Sequence, residues 1–156
     1  MIRSILKLIA KPNKPLVGEG TTIWQYTVIL PRASVGHNCN ICSHVFIENQ
    51  VIIGNSVTIK NGCKIYDGCR IHDNCFIGPN VIFANDLYPR SKEHLDDYLL
   101  TEVLEGASIG AGSIVLPGIT IGRRALVGAG SVVTTDIPDD VVAFGNPARV
   151  MRSLKE

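Results

Sequence analysis

An aliphatic or aromatic side chain stands at every sixth position from Val17 to Phe83, in twelve repeats without a miss. Four residues after each of these comes a second small or branched residue, such as Val45 or Cys63, and most of the other positions are polar or Gly. A period of six matches neither the 3.6-residue turn of an α-helix nor the alternation of a half-buried strand. It is typical of a parallel β-helix, in which short strands and tight turns repeat.

Three hexads close one triangular coil of 18 residues, so each residue is expected to lie over the residue 18 positions further along the chain. The residue that starts each hexad and its partner four positions later then point inward and stack in continuous ladders. Each buried aliphatic side chain contributes about 1.5 to 3 kcal/mol. An ordinary β-sandwich would space its strands irregularly, so the pattern favours a single all-β domain built as a β-helix.

The period breaks after Phe83 and returns at Val103, a separation of 20 residues that is not a multiple of six. The intervening segment reads ANDLYPRSKEHLDDYLLTE, and long insertions in compact repeats are usually functional or disordered. Because it carries aromatic residues and balanced charges, we expect it to order against a partner. The predicted organisation is a cap (1–16), first coils (17–83), an inserted loop (84–102), C-terminal coils (103–138) and a tail (139–156).

The composition excludes several classes of function. The chain has 156 residues and a formal charge of +1, so no strong field favours nucleic acid or membrane surfaces. No stretch approaches the roughly 20 apolar residues of a membrane span. The apolar residues 1–10 lack a long apolar centre and are followed by KPNKP, which indicates an end cap rather than a signal peptide, with a membrane-surface helix as the alternative. We expect a cytoplasmic protein.

Metal binding is not expected, although Cys39 and Cys42 form a C-x-x-C pair. Four of the five cysteines occupy the inward position, where Cys acts as a small hydrophobic residue: Cys39, Cys63, Cys69 and Cys75. The histidines are too far apart for the zinc site of a γ-class carbonic anhydrase. His37 and His72 are expected at the surface, while contact with substrate remains open for His44 and His94.

Two stacked sets of outward residues are candidates for ligand contact. The string IGAGSI at 109–114 returns as VGAGSV at 127–132, one coil later, so Ala111 stacks on Ala129 and Gly112 on Gly130. Such a strip lets an extended ligand lie close to the coils, although small residues also suit tight corners. In the tail, Arg149 could meet phosphates.

The second set is polar. If the 18-residue register continues into the loop, Asn85, Asp67 and Asn49 form one outward column, with Tyr66 and Glu48 beside it. Solvated surface is the alternative explanation for such a column.

The hexads VGHNCN, IENQVI, IGNSVT and IGPNVI resemble those of the hexapeptide-repeat family, whose members fold as left-handed parallel β-helices. The handedness comes from this resemblance, since general rules for parallel crossovers favour right-handed connections. Longer strings, among them NICSHVFIENQVIIGNSVTIKNG, FIGPNVIFANDLYPRSK, GASIGAGSIVLPGITIG and GNPAR, are similar to sugar N-acetyltransferases. The narrower resemblance is to enzymes that acetylate the 3-amine of dTDP-3-amino-3,6-dideoxyhexoses, which serve surface polysaccharide synthesis.

This resemblance implies a homotrimer with active sites between neighbouring prisms, using acetyl-CoA and a nucleotide-linked amino sugar and no metal. Carried onto this sequence, it points to Asn85, with Asp86 and Arg90 beside it. Together with the stacking, it predicts catalytic roles for Asn85 and Asp67. The predicted substrate-binding residues are His44, Glu48, Tyr66, Asp86, Tyr88 and Arg90. The predicted acetyl-CoA-binding residues are Ala111, Gly112, Ala129, Gly130 and Arg149.

Two alternatives remain open. UDP-3-amino-uronate acetyltransferases share the FxNxxxPR string at 83–90, so the nucleotide is undecided. A non-catalytic β-helical assembly module is the other alternative, and a rise in melting temperature with CoA would argue against it.

Many hexapeptide O-acetyltransferases carry a loop histidine before a proline as general base, whereas Tyr88 precedes Pro89 here. This departure predicts direct attack by an amine without a histidine base.

Overall fold

The computed structural model describes residues 14–93 and 95–155. Within these ranges every regular element is a β-strand, and no helix is long and apolar enough to cross a membrane. The strands form three sheets in which, except at the C-terminal end, each strand pairs in parallel with the strand three positions away in the chain, the topology of a parallel β-helix. The predicted fold class, an all-β helix of hexapeptide repeats with one inserted loop, is confirmed.

Each sheet forms one face of a three-sided prism. Face A contains β1 (Leu16–Val17), β4 (Ser34–Val35), β7 (Ile52–Ile53), β10 (Cys69–Ile71), β13 (Thr101–Val103) and β16 (Thr120–Ile121). Face B contains β2 (Thr22–Ile23), β5 (Asn40–Ile41), β8 (Thr58–Ile59), β11 (Phe76–Ile77), β14 (Ser108–Ile109), β17 (Leu126–Val127), β19 (Val141–Gly145) and β20 (Ala148–Ser153). Face C contains β3 (Val28–Ile29), β6 (Phe46–Ile47), β9 (Lys64–Ile65), β12 (Ile82–Phe83), β15 (Ile114–Val115) and β18 (Val132–Val133).

The core is a set of ladders that follow the 18-residue register. Ile41 pairs with Ile59, which pairs in turn with Ile77, and all three are fully buried. The inward cysteines belong to the same ladders and are also buried. In the first described coil Val17 is 40% exposed because no coil lies beneath it among the described residues. Most of the cap predicted for 1–16 lies outside the described residues.

The inserted loop leaves the prism at the corner between faces C and A. Strand β10 pairs with β7 at an offset of 18, Ile71 with Ile53, but with β13 at an offset of 32, Ile71 with Val103. The difference corresponds to 14 additional residues at this corner. Strand β13 already includes Thr101 and Glu102, which the sequence analysis placed in the loop.

The C-terminal end is closed by an antiparallel hairpin, β19 with β20, which extends face B beyond β17. An ion pair cluster ties the hairpin to the last coil: Arg124 Nε donates to Asp140 Oδ1 at 2.6 Å, and Lys155 Nζ lies 2.9 Å from Asp140 Oδ2. The Arg124 and Lys155 hydrogen bonds lower the pKa of Asp140 to about 2.

This shift predicts an acid-sensitive contribution to stability. Because the folded-state pKa lies below the ordinary value of about 3.9, the Asp140 carboxylate stabilises the fold above that pH, and its contribution is lost as the pH falls towards about 2. We expect Asp140→Asn to lower the urea midpoint at neutral pH and the difference from wild type to shrink below about pH 4. Asp96→Asn, a change at an exposed loop residue, is the control and should leave the urea midpoint unchanged. If the difference in midpoint between Asp140→Asn and wild type stayed constant with pH, the assignment would be wrong.

Candidate active site

The strand pairing of face C confirms the stacking of the predicted polar column. Phe46 pairs with Lys64, and Lys64 with Ile82, so Asn49, Asp67 and Asn85 follow equivalent strands at the corner between faces C and A. All three side chains are half-buried. The stacking inferred from the sequence therefore places these residues in successive coils, with Asn85 at the point where the inserted loop begins.

Hydrogen bonds fix the lower part of this column. The Asp67 N–H donates to Glu48 Oε2 at 2.8 Å, and Asp67 Oδ1 accepts from the Gln50 N–H. Asn49 Oδ1 accepts from the Arg32 N–H at 3.3 Å. Asp67 and Glu48 are thus directly linked, and Asp67 also has a structural role in satisfying the backbone of the coil below.

The inserted loop encloses a pocket of about 420 Å³. Its lining combines carboxylates with apolar side chains: Asn85, Asp86, Leu87, Tyr88, Glu93, Leu95, Asp97 and Leu99. Asp86 Oδ1 accepts from the Tyr88 N–H at 2.8 Å, which shapes the turn before Pro89. Arg90 Nη1 donates to the Pro89 carbonyl at 2.9 Å, and Arg90 does not line the pocket. The structure therefore brings Asn85, Asp86 and Tyr88 together and leaves Arg90 on the exposed side of the loop.

The base of the loop rests on two glycines that the sequence analysis did not single out as positioning residues. A Cβ on Gly68, whose φ is +85°, would lie 2.7 Å from the Leu99 carbonyl oxygen. The Leu99 side chain lies near Gly118, whose N–H donates to the buried Thr101 Oγ1 at 2.9 Å. The close approach at Gly68 sets where the loop rejoins the prism, directly beside Asp67.

The small-residue strip lies at a different corner, between faces B and C. Ser108 pairs with Leu126, so Ala111 and Gly112 stack on Ala129 and Gly130 as predicted. Both alanines are exposed, and nothing lies within 4 Å of a Cβ built on either glycine. The Gly112 and Gly130 N–H groups donate to Pro79 and Ala111 carbonyls at 2.8 Å. A ligand would therefore meet these glycines by close packing rather than through their N–H groups.

An apolar pocket of about 290 Å³ adjoins the strip on face B. Phe76 and Leu126 form its outward walls, with Gly110 and Ala129 at the edge shared with the strip. The β19–β20 hairpin continues this surface, since Phe144 packs against Gly128 and pairs with Arg149. Arg149 Nη1 donates to the Ala148 carbonyl at 2.9 Å, and its side chain is exposed at the end of the same face.

The described histidines are held by different contacts. His37 Nδ1 accepts from the Glu19 N–H at 3.0 Å, and His72 Nε2 lies 3.2 Å from Glu102 Oε1, in keeping with surface roles. His44 is exposed and its ring stacks on Tyr26 with centroids 5.1 Å apart. His94 lies outside the described residues.

The cysteines are buried free thiols. Burial raises the pKa of Cys63 and Cys75 to about 11 and that of Cys69 further, so these thiols are protonated at neutral pH. Within 14–93 and 95–155 no group of three or more His, Cys, Asp or Glu side chains is arranged to hold a metal ion.

Comparisons with known proteins agree with these features. The family model described as bacterial transferase hexapeptide (six repeats) matches residues 14–49, 50–85 and 101–135. The chain is 57% identical over 134 residues to dTDP-3-amino-3,6-dideoxy-alpha-D-galactopyranose 3-N-acetyltransferase from Aneurinibacillus thermoaerophilus, covering 86% of this chain and 70% of that protein. It is 43% identical over 83 residues to galactoside O-acetyltransferase from Lactococcus lactis, covering 51% of this chain and 40% of that relative.

Among solved structures, a mutant GDP-perosamine N-acetyl transferase from Caulobacter crescentus, in complex with CoA and GDP-perosamine, superposes with a TM-score of 0.73 at 32% identity. The match covers 87% of this chain but 57% of the length of that structure.

The family match covers more than half of the chain, and the Aneurinibacillus relative exceeds half identity over most of it. These findings confirm the resemblance inferred from the hexads and the longer strings. The chain belongs to the bacterial transferase hexapeptide family.

Proposed function

We propose that the protein transfers an acetyl group from acetyl-CoA to the 3-amine of a dTDP-linked 3-amino-3,6-dideoxyhexose. The observation that carries this proposal is the 57% identity over 134 residues to an enzyme named for that reaction. That alignment leaves 22 of the 156 residues outside it, so it begins by residue 23 and ends at residue 134 or later. It therefore spans the polar column, the inserted loop and the small-residue strip.

The amino sugar is assigned to the corner between faces C and A. Asn85 and Asp67 lie there in successive coils, and the loop pocket offers Asp86 and Tyr88 beside Asn85. In this assignment Asn85 hydrogen-bonds the amine or the acetyl oxygen, and Asp67 provides an electrostatic partner. Glu48, Tyr66 and Asp86 hold the sugar, whereas Arg90 lies on the exposed side of the loop, outside the pocket lining.

Acetyl-CoA is assigned to the strip of Ala111, Gly112, Ala129 and Gly130, with Arg149 available for its phosphates. The open space over both glycines and the apolar pocket beside them fit an extended, partly apolar chain. At the equivalent corner position of earlier coils Tyr26, His44 and Asn80 carry side chains, and Asn80 Oδ1 crowds Gly62, whereas the space over Gly112 and Gly130 is open.

The reaction needs no protein base. If the sugar amine has the pKa of an α-amino group, about 7.7 to 8.0, on the order of a tenth of the sugar is present as the neutral amine at pH 7. The neutral amine attacks the thioester carbonyl, the carbon–sulfur bond breaks, and the departing CoA thiolate takes the proton lost by the nitrogen. Catalysis then consists of orientation and charge stabilisation by fixed groups.

The test is release of free thiol from acetyl-CoA with a panel of dTDP- and UDP-linked amino sugars. We expect turnover with a dTDP-3-amino-3,6-dideoxyhexose and much less with UDP-3-amino-uronates. Binding of CoA without turnover of any amino sugar would favour the non-catalytic assembly module instead. The cytoplasmic location stays a prediction from the sequence.

The proposed enzyme is a homotrimer. The two assigned surfaces occupy different corners, on either side of face C, so a groove between neighbouring chains can bring them together. Face C itself presents apolar outward residues that would be buried in such a groove, with Val28, Ile82 and Ile114 exposed in this single chain. Cyclic assemblies of this kind are common among homo-oligomers.

We expect sedimentation at micromolar concentration to give the mass of three chains. Ile114→Glu, a charge placed on face C, should shift the mass towards that of one chain, while Thr120→Glu on face A should leave it unchanged. A wild-type protein with the mass of one chain would contradict the trimer.

A further inference from the structure

We propose that two buried serines, Ser113 and Ser131, position the backbone of the small-residue strip for acetyl-CoA. Each follows a glycine of the strip directly in the chain, and both side chains are fully buried behind it. Neither serine was identified from the sequence as a functional residue. The inference rests on the proposed function, because it explains how the surface assigned to acetyl-CoA is held in shape.

Buried hydroxyl groups are rare in this core. Among the described residues the buried polar side chains are Thr101, Ser113 and Ser131. The two serines stand at the inward position of the corner between faces B and C, which earlier coils fill with Val45, Cys63 and Val81. A small side chain alone would not need a hydroxyl, since Ala107 and Ala125 fill the inward position at another corner. Because a hydroxyl in an apolar core costs free energy unless it is hydrogen-bonded, the serines indicate a requirement beyond packing.

The serine hydroxyls hold two glycine carbonyls. Ser113 Oγ lies 2.9 Å from the Gly110 carbonyl oxygen and 3.1 Å from that of Gly128, one coil later. Ser131 Oγ donates to the same Gly128 carbonyl at 2.6 Å. Glycine has little conformational preference of its own, so the peptide units that begin at Gly110 and Gly128 depend on such bonds to keep one orientation.

These peptide units present hydrogen-bond donors to the strip. In a planar trans peptide the N–H points away from the C=O of the same unit. Because the Gly110 and Gly128 carbonyls are turned to buried hydroxyls, the Ala111 and Ala129 N–H groups point away from the core. Neither N–H donates to another group within the described part of the chain. A Cβ on Gly78, one coil below, would lie 2.8 Å from the Ala111 nitrogen, and one on Gly110 would crowd the Ala129 nitrogen.

Two outward N–H groups one coil apart fit an extended ligand that carries amide carbonyls. The coils repeat at a strand spacing of about 4.8 Å, and the pantetheine arm of acetyl-CoA contains two amide groups. The N–H groups of Ala111 and Ala129 can donate to carbonyl oxygens of this arm. Such bonds are the same before and during acetyl transfer, so they contribute to binding of the donor and not to the chemical step.

Ser131 also connects the strip to the C-terminal hairpin. Its Oγ accepts from the Gly145 N–H at 3.2 Å. Gly145 ends β19 and pairs with Ala148 of β20, next to Arg149. One buried hydroxyl therefore aligns the strip with the end of face B at which Arg149 lies, and these are the two parts of the surface assigned to acetyl-CoA.

A matched pair of variants isolates the hydroxyl. Ser113→Val and Ser113→Thr add side chains of the same shape, and only threonine keeps the hydroxyl. The fold accepts a β-branched residue at this position, because Val45 and Val81 occupy it in earlier coils and Thr27 occupies it in the first described coil. Ser131→Ala removes the second hydroxyl without adding atoms.

Isothermal titration with CoA and steady-state kinetics measure the effect. We expect Ser113→Val and Ser131→Ala each to weaken CoA binding and to raise the KM for acetyl-CoA by about three- to tenfold. The kcat and the KM for the sugar should stay unchanged, because a purely structural defect would lower kcat as well. Ser113→Thr should bind CoA like wild type.

Cys63→Val is the control for the loss of a similar bond outside the strip. Cys63 Sγ donates to the Gly78 carbonyl at 3.0 Å from the same inward position. The residue after Gly78 is Pro79, which has no N–H to present to a ligand. The variant should therefore leave the CoA affinity unchanged, even if it lowers the melting temperature.

The outcomes that would overturn the inference are distinct from failure of the proposed function. Wild-type CoA affinity in both Ser113→Val and Ser131→Ala, with acetyl transfer intact in wild type, would overturn the positioning role and leave the proposed function standing. Equal weakening by Ser113→Val and Ser113→Thr would assign the effect to the added methyl groups and would also overturn it. Absence of both CoA binding and acetyl transfer in wild type would overturn the inference and the proposed function together.

Discussion

Replacement of Asn85 by alanine is expected to lower kcat by roughly ten- to a thousand-fold, because loss of one fixed hydrogen-bond donor to a developing charge can cost about a hundred- to a thousand-fold. Asn85 follows β12 at the start of the loop, half-buried, one coil above Asp67. Its amide can donate to the acetyl oxygen or accept from the amine. Because this contact strengthens as the tetrahedral intermediate forms, the loss should fall mainly on kcat rather than on KM.

The control for this variant is His72→Ala. His72 lies on face A, where its Nε2 contacts Glu102 Oε1, so its removal should change kcat little. His94→Ala is likewise expected to do little, since no histidine base is proposed. The contrary outcome is specific: if His44→Ala or His94→Ala abolished turnover with substrate binding intact, a histidine base would be at work and direct amine attack would be wrong.

Replacement of Ala111 or Ala129 by phenylalanine is expected to raise the KM for acetyl-CoA by about tenfold or more, equivalent to a loss of at least about 1.4 kcal/mol of binding. Both side chains are exposed, so the larger ring projects outward and the fold remains intact. The ring would occupy the space that the strip leaves beside Gly112 and Gly130. Steady-state kinetics with acetyl-CoA as the varied substrate measures the effect.

Asn61→Phe provides a matched control for the strip. Asn61 occupies the same corner position as Ala111 in an earlier coil, and it is exposed. The same ring placed there should leave the KM for acetyl-CoA unchanged. If the Ala111 and Ala129 variants altered only the KM of the sugar, the two ligands would have been assigned to the wrong surfaces.

The core and the stacking of distant residues were predictable because both follow from one period. Once each residue lies over the residue 18 positions away, Asp67 must stand over Asn49 and Ala111 under Ala129, and the strand register confirms both pairs of coils. The continuation of the column to Asn85 also held, since β12 keeps the same register as β9. Such inferences need only the repeat.

The loop and the hydrogen bonds were not predictable in the same way. The segment between Phe83 and Thr101 has no period, so nothing in its pattern indicates that Leu99 packs against Gly68 and Gly118. The period also does not reveal that one Asp67 oxygen accepts from the Gln50 N–H. Tyr26 and His44 could have been noticed in the sequence, because they stand at a corner position that Gly62 and Asn80 occupy in later coils.

The proposed reaction forms an amide at the 3-amine of a nucleotide-linked amino sugar. It can be tested by nuclear magnetic resonance of the product formed from acetyl-CoA and a dTDP-3-amino-3,6-dideoxyhexose, with the matching 3-hydroxy sugar incubated in parallel. We expect an N-acetyl group at C3 of the amino sugar and negligible acetylation of the hydroxy sugar. Acetylation of a hydroxyl group in either compound, with the 3-amine left free, would contradict it.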